Sequence, residues 1–315
     1  MRDAFISELT LLAREDPSVF LIVGDLGFSV IESFAEEFPD RFLNAGVAEQ
    51  MMIGAASGLA AAGYNVFVYS IGNFPTRRCL EQIRNDVCYH NRSVTIVAVG
   101  AGFSYGALGY THHAIEDIAV MRALPNMTVY SPADPREARA LTRQAAESSR
   151  PHYLRLGKNR EPNLHDSELQ SAVPDALVLR EGSDVTVLVT GSIAGVALEA
   201  SDLLRAEGIS ARVVSVPILK PLGDGVLKAA GGTSAIVTLE EHSLIGGLGS
   251  AVLESAAMAR NRTPIYPIGI PEHTLGKYVG AHEYLREKNG LTAEAVYDAV
   301  RSMLAPEQTD AVVPR

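Results

Sequence analysis

Short, continuous apolar runs alternate with stretches of helical periodicity along the first half of the chain. "VFLIVGDL" (19–26), "NVFVYSI" (65–71), "VTIVAVG" (94–100) and "MTVYSP" (127–132) are rich in β-branched residues and bounded by turn formers, which predicts strands. A further strand-like segment spans Arg41 to Gly46. Helical stretches fall around 48–62, 76–90, 114–124 and 134–148. The last opens on Asp134-Pro135, a capping side chain followed by a proline where a missing N–H costs nothing. Continuous apolar strands separated by helices imply a mostly parallel sheet covered on both faces.

The periodicity lapses over 157–176, "GKNREPNLHDSELQSAVPDA", which is polar, holds two prolines and has no apolar repeat. It reads as a linker. The alternation then resumes: "VTVLVTG" (185–191), a helix at 193–208, "ARVVSVPIL" (211–219), "SAIVTLEE" (234–241), a helix at 247–260, "PIYPIGI" (264–270) and a closing helix at 292–304. The expected architecture is α/β, with two three-layer domains over 1–160 and 181–315 joined by a linker at 161–180.

A length of 315 residues agrees with two domains. The net charge of -10 argues against nonspecific nucleic-acid binding, which needs a basic surface. No apolar run approaches the roughly 20 residues of a membrane span. The opening "RDAFISELTLLARED" is amphipathic with interspersed acids, unlike a signal peptide. Two cysteines, Cys79 and Cys88, form no disulfide framework or metal motif, so a reducing cytoplasm is expected.

Within this frame one carboxylate stands out. Glu49 sits at the mouth of "QMMIGAASGLAAAG", a helix of small and apolar residues suited to a tightly packed interface. An acid in a first helical turn favours the macrodipole and needs no further task. Held at an interface it would be desolvated, and its protonated form favoured, as a proton-exchanging group needs. His112 and His113 lie in a glycine-rich loop after a predicted strand, at the edge where open α/β sheets bind ligands. Other strings are weaker. "GFSYG" (102–106) matches a nucleophile elbow, and Ser104 with His242 and Asp224 makes an imaginable triad, but "ALGYTHH" follows where a helix should. "GDG" (223–225) reads as a helix-starting turn, and "GGLGS" (246–250) as a close approach of a helix start to its neighbours or a weak anion site.

Together, "AEQ" (48–50), "YSIGNFPTRRCLEQIRNDV" (69–87), "GFSYGALGYTHHAIEDIAVMRALPNMTVYSPADPREA" (102–138) and "LEEHSLIGGLGSAV" (239–252) resemble successive signatures of the transketolase group of thiamine-diphosphate enzymes, in order and over nearly the whole chain. The resemblance covers a pyrimidine-binding and a C-terminal domain, without a diphosphate-binding domain. It implies the C-terminal subunit of a split transketolase, with thiamine diphosphate and Mg²⁺ held mainly by an N-terminal partner subunit in an α2β2 heterotetramer. By the resemblance, Glu49 bonds N1′ of the aminopyrimidine and promotes the imino form that activates the thiazolium. Gln50 and Asp25 would lie near the cofactor and Phe74 would stack on its pyrimidine. His112 would stand near the cofactor amino group and a substrate hydroxyl, with His113 in place of a usual Gln. Arg2, Ser29 and Lys158 fall near positions that bind sugar phosphate, Lys158 where Arg is usual.

Two departures bear on substrate choice. Many transketolases have, two residues before Pro-Thr-His, an Asp that reads a substrate hydroxyl; here that position is Leu108. A histidine expected at the preceding strand end is replaced by "GAG" (100–102). A changed donor or acceptor is therefore expected. The alternatives are the β subunit of a 2-oxoacid decarboxylating complex, against which the THH loop argues, a synthase of the deoxyxylulose-phosphate type, a noncatalytic regulatory partner, or a serine hydrolase using Ser104.

Overall fold

The computed structural model describes residues 1–158 and 161–305. Its first unit contains α1 (Arg2–Glu15), β1 (Val19–Val23), α2 (Glu32–Glu37), β2 (Phe42–Asn44), α3 (Glu49–Ala61), β3 (Asn65–Ile71) and the short helices α4 (Asn73–Thr76) and α5 (Leu80–Gln82). It continues through β4 (Val94–Val99), α6 (Asp117–Ala123), β5 (Thr128–Tyr130), α7 (Pro135–Ala146) and β6 (His152–Leu156). The second unit contains β7 (Leu177–Arg180), β8 (Val185–Thr190), α8 (Ala194–Ala206), β9 (Ala211–Ser215), β10 (Ile218–Lys220), α9 (Gly225–Ala229) and β11 (Ala235–Ser243). It closes with α10 (Leu248–Met258), β12 (Ile265–Ile270), α11 (His282–Lys288) and α12 (Ala293–Leu304).

The strands form a seven-stranded sheet, order β10-β5-β6-β4-β3-β1-β2, and a five-stranded sheet, order β12-β11-β8-β9-β7. Every pairing is parallel except β10 with β5 and β7 with β9, one at an edge of each sheet. Strands β3 and β4 are buried along almost their whole length, which is why they read as unbroken apolar runs. Separate apolar clusters cover the two faces of the first sheet, one around Ile53, Val68 and Ile96, the other around Phe5, Tyr69 and Leu154. Asp134 accepts a hydrogen bond from Glu137 N at 2.8 Å and caps α7 as expected.

Several elements differ from the sequence reading. The amphipathic opening is α1, which packs Phe5 and Leu9 into the core and ties Glu8 to Arg143 of α7 at 2.6 Å. β6, "HYLRL", was hidden by its charges: Arg155 is buried because Asp117 accepts from Nε at 2.7 Å and the Ala114 and Glu241 carbonyls accept from Nη2. The helix expected at 76–90 is instead α4, α5 and a π-helical turn, Ile83–Cys88. The single strand expected at 211–219 splits between the sheets: β9 stays in the second and β10 crosses back to extend the first. β7 lies inside the stretch read as a linker. No helix of the described residues is long and apolar enough to cross a membrane.

Candidate active site at the sheet edge

Parallel strands end on one edge, and that edge collects most of the candidate residues. Asp25 and Ser29 follow β1, Glu49 follows β2, Phe74 follows β3, His112 follows β4 and Lys158 follows β6. Arg2 opens α1, and its guanidinium lies 3.5 Å from Asp3 Oδ1.

A continuous line of contacts runs across the edge. Glu49 is 3% exposed, and its Oε2 accepts from Arg78 Nη1 at 2.7 Å. The Arg78 guanidinium lies 5.0 Å from the centre of the Phe74 ring. Phe74 meets the His112 ring edge to face at 5.3 Å, and His112 meets Tyr105 at 6.5 Å. Lys158 Nζ stands 4.6 Å from the Tyr105 ring centre. Thr111 Oγ1 lies 3.0 Å from His112 Nδ1, which leaves Nε2 as the outward nitrogen.

Glu49 begins α3 as expected, but it is not an unpaired desolvated acid: in this chain an arginine from the segment after β3 supplies its counter-charge. Exposed Gln50 donates to the Arg78 carbonyl at 3.2 Å, steadying the same segment. Asp25 is exposed at φ 54° and exchanges two 3.0 Å hydrogen bonds with Asn44, one from its own backbone N–H. Ser29, at φ 65°, donates its N–H to Glu32 at 2.6 Å. Two non-glycine residues in the left-handed region mark this loop as locally strained.

His113 is not brought to the surface. It is 1% exposed, with Nε2 3.0 Å from the Gly106 carbonyl and its ring against Phe103, so it braces the loop from below. The Ser104 triad is not formed either. Ser104 Oγ donates to the Ala101 carbonyl, while His242 is fully buried with Nδ1 on the Ser243 carbonyl and Nε2 on Ala119 N–H. Burial pushes His242 down to about 4, and Asp224 lies apart at a cavity near Arg122.

The "GAG" departure has a physical account. A Cβ on Gly102, at φ 60°, would lie 2.1 Å from Glu241 Oε1, and that oxygen accepts from Phe103 N–H at 2.6 Å. Burial alone would raise Glu241, but Arg286 and His282 hold its carboxyl down at about 2. A carboxylate of the second unit thus pins the base of the His112 loop. Sequence reasoning missed Arg78 and Tyr105. Both lie in strings it quoted, but nothing in a lone Arg or Tyr shows which ring or acid it will reach.

Residues 1–162 match the transketolase pyrimidine binding domain and residues 175–296 the transketolase C-terminal domain. The chain belongs to the transketolase family. It is 36% identical over 302 residues to a subunit of the apulose-4-phosphate transketolase of Phocaeicola vulgatus, covering 94% of this chain and 96% of that one. It is equally 36% identical to the 6-deoxy-6-sulfo-D-fructose transketolase subunit SqwH of a Clostridium species, with 96% and 94% covered. Among solved structures, a split-gene transketolase described as an inactive β4 tetramer superposes with a TM-score of 0.84 at 41% identity, covering 96% and 97%.

Proposed function

We propose that this chain is the C-terminal subunit of a two-chain, thiamine-diphosphate-dependent transketolase that moves a two-carbon ketol unit from a ketose or ketose phosphate to an aldose. The observation that carries the reading is the buried Glu49 on the same sheet edge as the Phe74 ring and His112. This donor set fits an aminopyrimidine: a desolvated carboxylate for a ring nitrogen and an aromatic face beside it. Thiamine diphosphate, when bound, supplies the nucleophilic carbon that carries the ketol unit. Glu49 holds the proton shared with the pyrimidine nitrogen, Phe74 orients the ring, and Gln50 and Asp25 steady the loops around it. His112 Nε2 meets a substrate hydroxyl, and Arg2, Ser29 and Lys158 take an anionic end.

Magnesium and the diphosphate are assigned to an N-terminal partner subunit, in an α2β2 heterotetramer. The one group of metal-ligand type among the described residues is Asp134, Glu137 and His165. Its atoms are engaged with one another and with the N–H groups of Ala133, Glu137, Leu164 and His165, so it is a latch on the segment after β6. Partner dependence is further supported by the similar split-gene protein, described as an inactive tetramer of β chains. Buried, unpaired Cys79 and Cys88, each with its thiol pushed up to about 12 by burial, fit a cytoplasmic enzyme.

The test is reconstitution with the diphosphate-binding chain of a neighbouring reading frame, followed by a donor and acceptor screen. Ketose formation is expected only on mixing, and only with both thiamine diphosphate and Mg²⁺. Light scattering on the pair should give two copies of each chain. Full turnover by this chain alone without coenzyme would overturn the reading.

A further inference from the structure

The loop after β4 has lost two polar groups that many transketolases use, and the structure shows what fills one of the gaps. Gly100 ends β4 at φ 89°, and a Cβ there would lie 2.2 Å from Tyr105 Cε2 and 2.3 Å from Cδ2. At that φ any side chain is strained, and the Tyr105 ring would have to shift to admit one. The tyrosine therefore stands where a side chain at position 100 would project. At the other lost position, Leu108 is 56% exposed and apolar, and offers a substrate no hydrogen bond.

Tyr105 also lies beside two groups of different purpose. Its ring centre lies 6.5 Å from that of His112, in an edge contact, and 4.6 Å from Lys158 Nζ. Lys158 also lines a cavity of 440 Å³ together with Ser104, Ser192, Arg286 and the carboxylates Glu161 and Glu283, in which Lys158 is the cation not already paired with Glu241. Half-buried among these neighbours, the phenol has its ionisation pushed up by burial, against the pull of Arg2, and so remains a neutral donor. Like those of most tyrosines here, the Tyr105 hydroxyl makes no hydrogen bond among the described residues; only those of Tyr110, Tyr130, Tyr153 and Tyr297 do.

We infer that Tyr105 is a specificity-determining residue of the substrate site, its hydroxyl reading a hydroxyl on the sugar chain between the carbon nearest His112 and the anionic end nearest Lys158. The inference rests on the ketol-transfer reading above. A buried or half-buried hydroxyl pair gained or lost changes selection by roughly tenfold or more, because an analogue without the partner leaves a polar group unmet. One tyrosine reaching in from the loop's base would thus replace the acid and histidine as the reader of the chain, with a different preferred hydroxyl.

The experiment uses the reconstituted two-chain enzyme with Tyr105→Phe, which keeps the ring packed on Gly100 and removes only the hydroxyl. The donors are fructose 6-phosphate, xylulose 5-phosphate, sedoheptulose 7-phosphate and hydroxypyruvate, the last carrying the ketol unit with no further hydroxyl. For the best sugar phosphate, kcat/KM should fall about tenfold through KM. For hydroxypyruvate it should stay within about twofold, and thiamine diphosphate affinity, measured by calorimetry, should not move. Equal loss on both donor types, or loss on neither, overturns the inference. A wild-type pair that forms no ketose from these four or from any other donor of the screen sinks the ketol reading itself, and that result is visible before the variant is made. If another sugar phosphate is the better donor, it takes the place of the sugar phosphates named here in the comparison with hydroxypyruvate.

Discussion

Two helices of this chain begin beside a buried glutamate, and the two acids are held in opposite ways. Glu240, within β11, accepts from Leu248 N–H at 2.7 Å and Gly249 N–H at 2.9 Å at the first turn of α10. The fit is so close that a Cβ on Gly247 would lie 1.8 Å from its Oε2. The fixed backbone donors of the helix mouth are spent on the protein's own carboxyl, which disposes of an external anion site at "GGLGS". Glu49, at the mouth of α3, is satisfied instead by Arg78, whose side chain is half exposed. A long side chain can swing away and a helix terminus cannot. On the proposed reading a buried glutamate beside a helix start is thus structural in the second unit and exchangeable in the first.

The widest separation between the two is expected in turnover. Glu49→Gln in the reconstituted pair should lower kcat by roughly 10²–10⁴-fold, the usual worth of a positioned proton-transferring group. Its denaturant midpoint should stay near that of the wild type, because the lost ion pair has a half-exposed partner. Turnover within a few-fold of wild type would erase the distinction drawn here.

Glu240 should show the reverse. Removing its side chain in Glu240→Ala strands two buried N–H groups and opens a cavity, a cost of about 1–3 kcal/mol in urea unfolding, with activity per folded molecule retained. Its pH signature also differs from that of its neighbour. Burial raises Glu240 from an ordinary 4.5 to about 7, against the N–H bonds of Gly249 and Leu248. Its contribution is complete below about pH 4.5 and is lost as pH rises through 7. Glu241, lowered to about 2, contributes fully above about 4.5 and loses that stability as pH falls toward 2. Glu240→Gln should therefore flatten the decline in stability between pH 4.5 and 7 and leave the acid limb unchanged. Midpoints measured across both limbs check this.

The contrast also marks where sequence reasoning stops. Apolar β-branched runs such as "VTIVAV" announced their strands, because a strand covered on both faces has no polar position to confuse the pattern. β6 did not, because its buried Arg155 is neutralised by residues distant in the chain. Glu49, Phe74 and His112 were singled out through their motifs, and the loops after parallel β-strands carry all three to one edge. Arg78 and Tyr105 were not. What defines them is a distance to another loop, and such distances are set only when the strands align. His113 shows the opposite failure: adjacent in sequence to His112, it turns inward to a backbone carbonyl.

The smallest expected effect tests the exchange itself. On the proposed reading, an aminopyrimidine nitrogen arriving at Glu49 Oε2 and the Phe74 face displaces Arg78, whose Nη1 holds that oxygen and whose guanidinium lies against that ring. That departure costs what a half-exposed pair is worth, about 0–1 kcal/mol, or at most about fivefold in affinity. Arg78→Ala removes this competitor, so the reconstituted pair should bind thiamine diphosphate up to about fivefold more tightly by calorimetry, with a smaller dependence on salt. Arg78→Lys, which keeps a charge but not the planar fork, should fall between. If Arg78→Ala instead weakens binding, the arginine is part of the grip on the cofactor rather than a placeholder. Glu49 would then be held as firmly as Glu240, by different means.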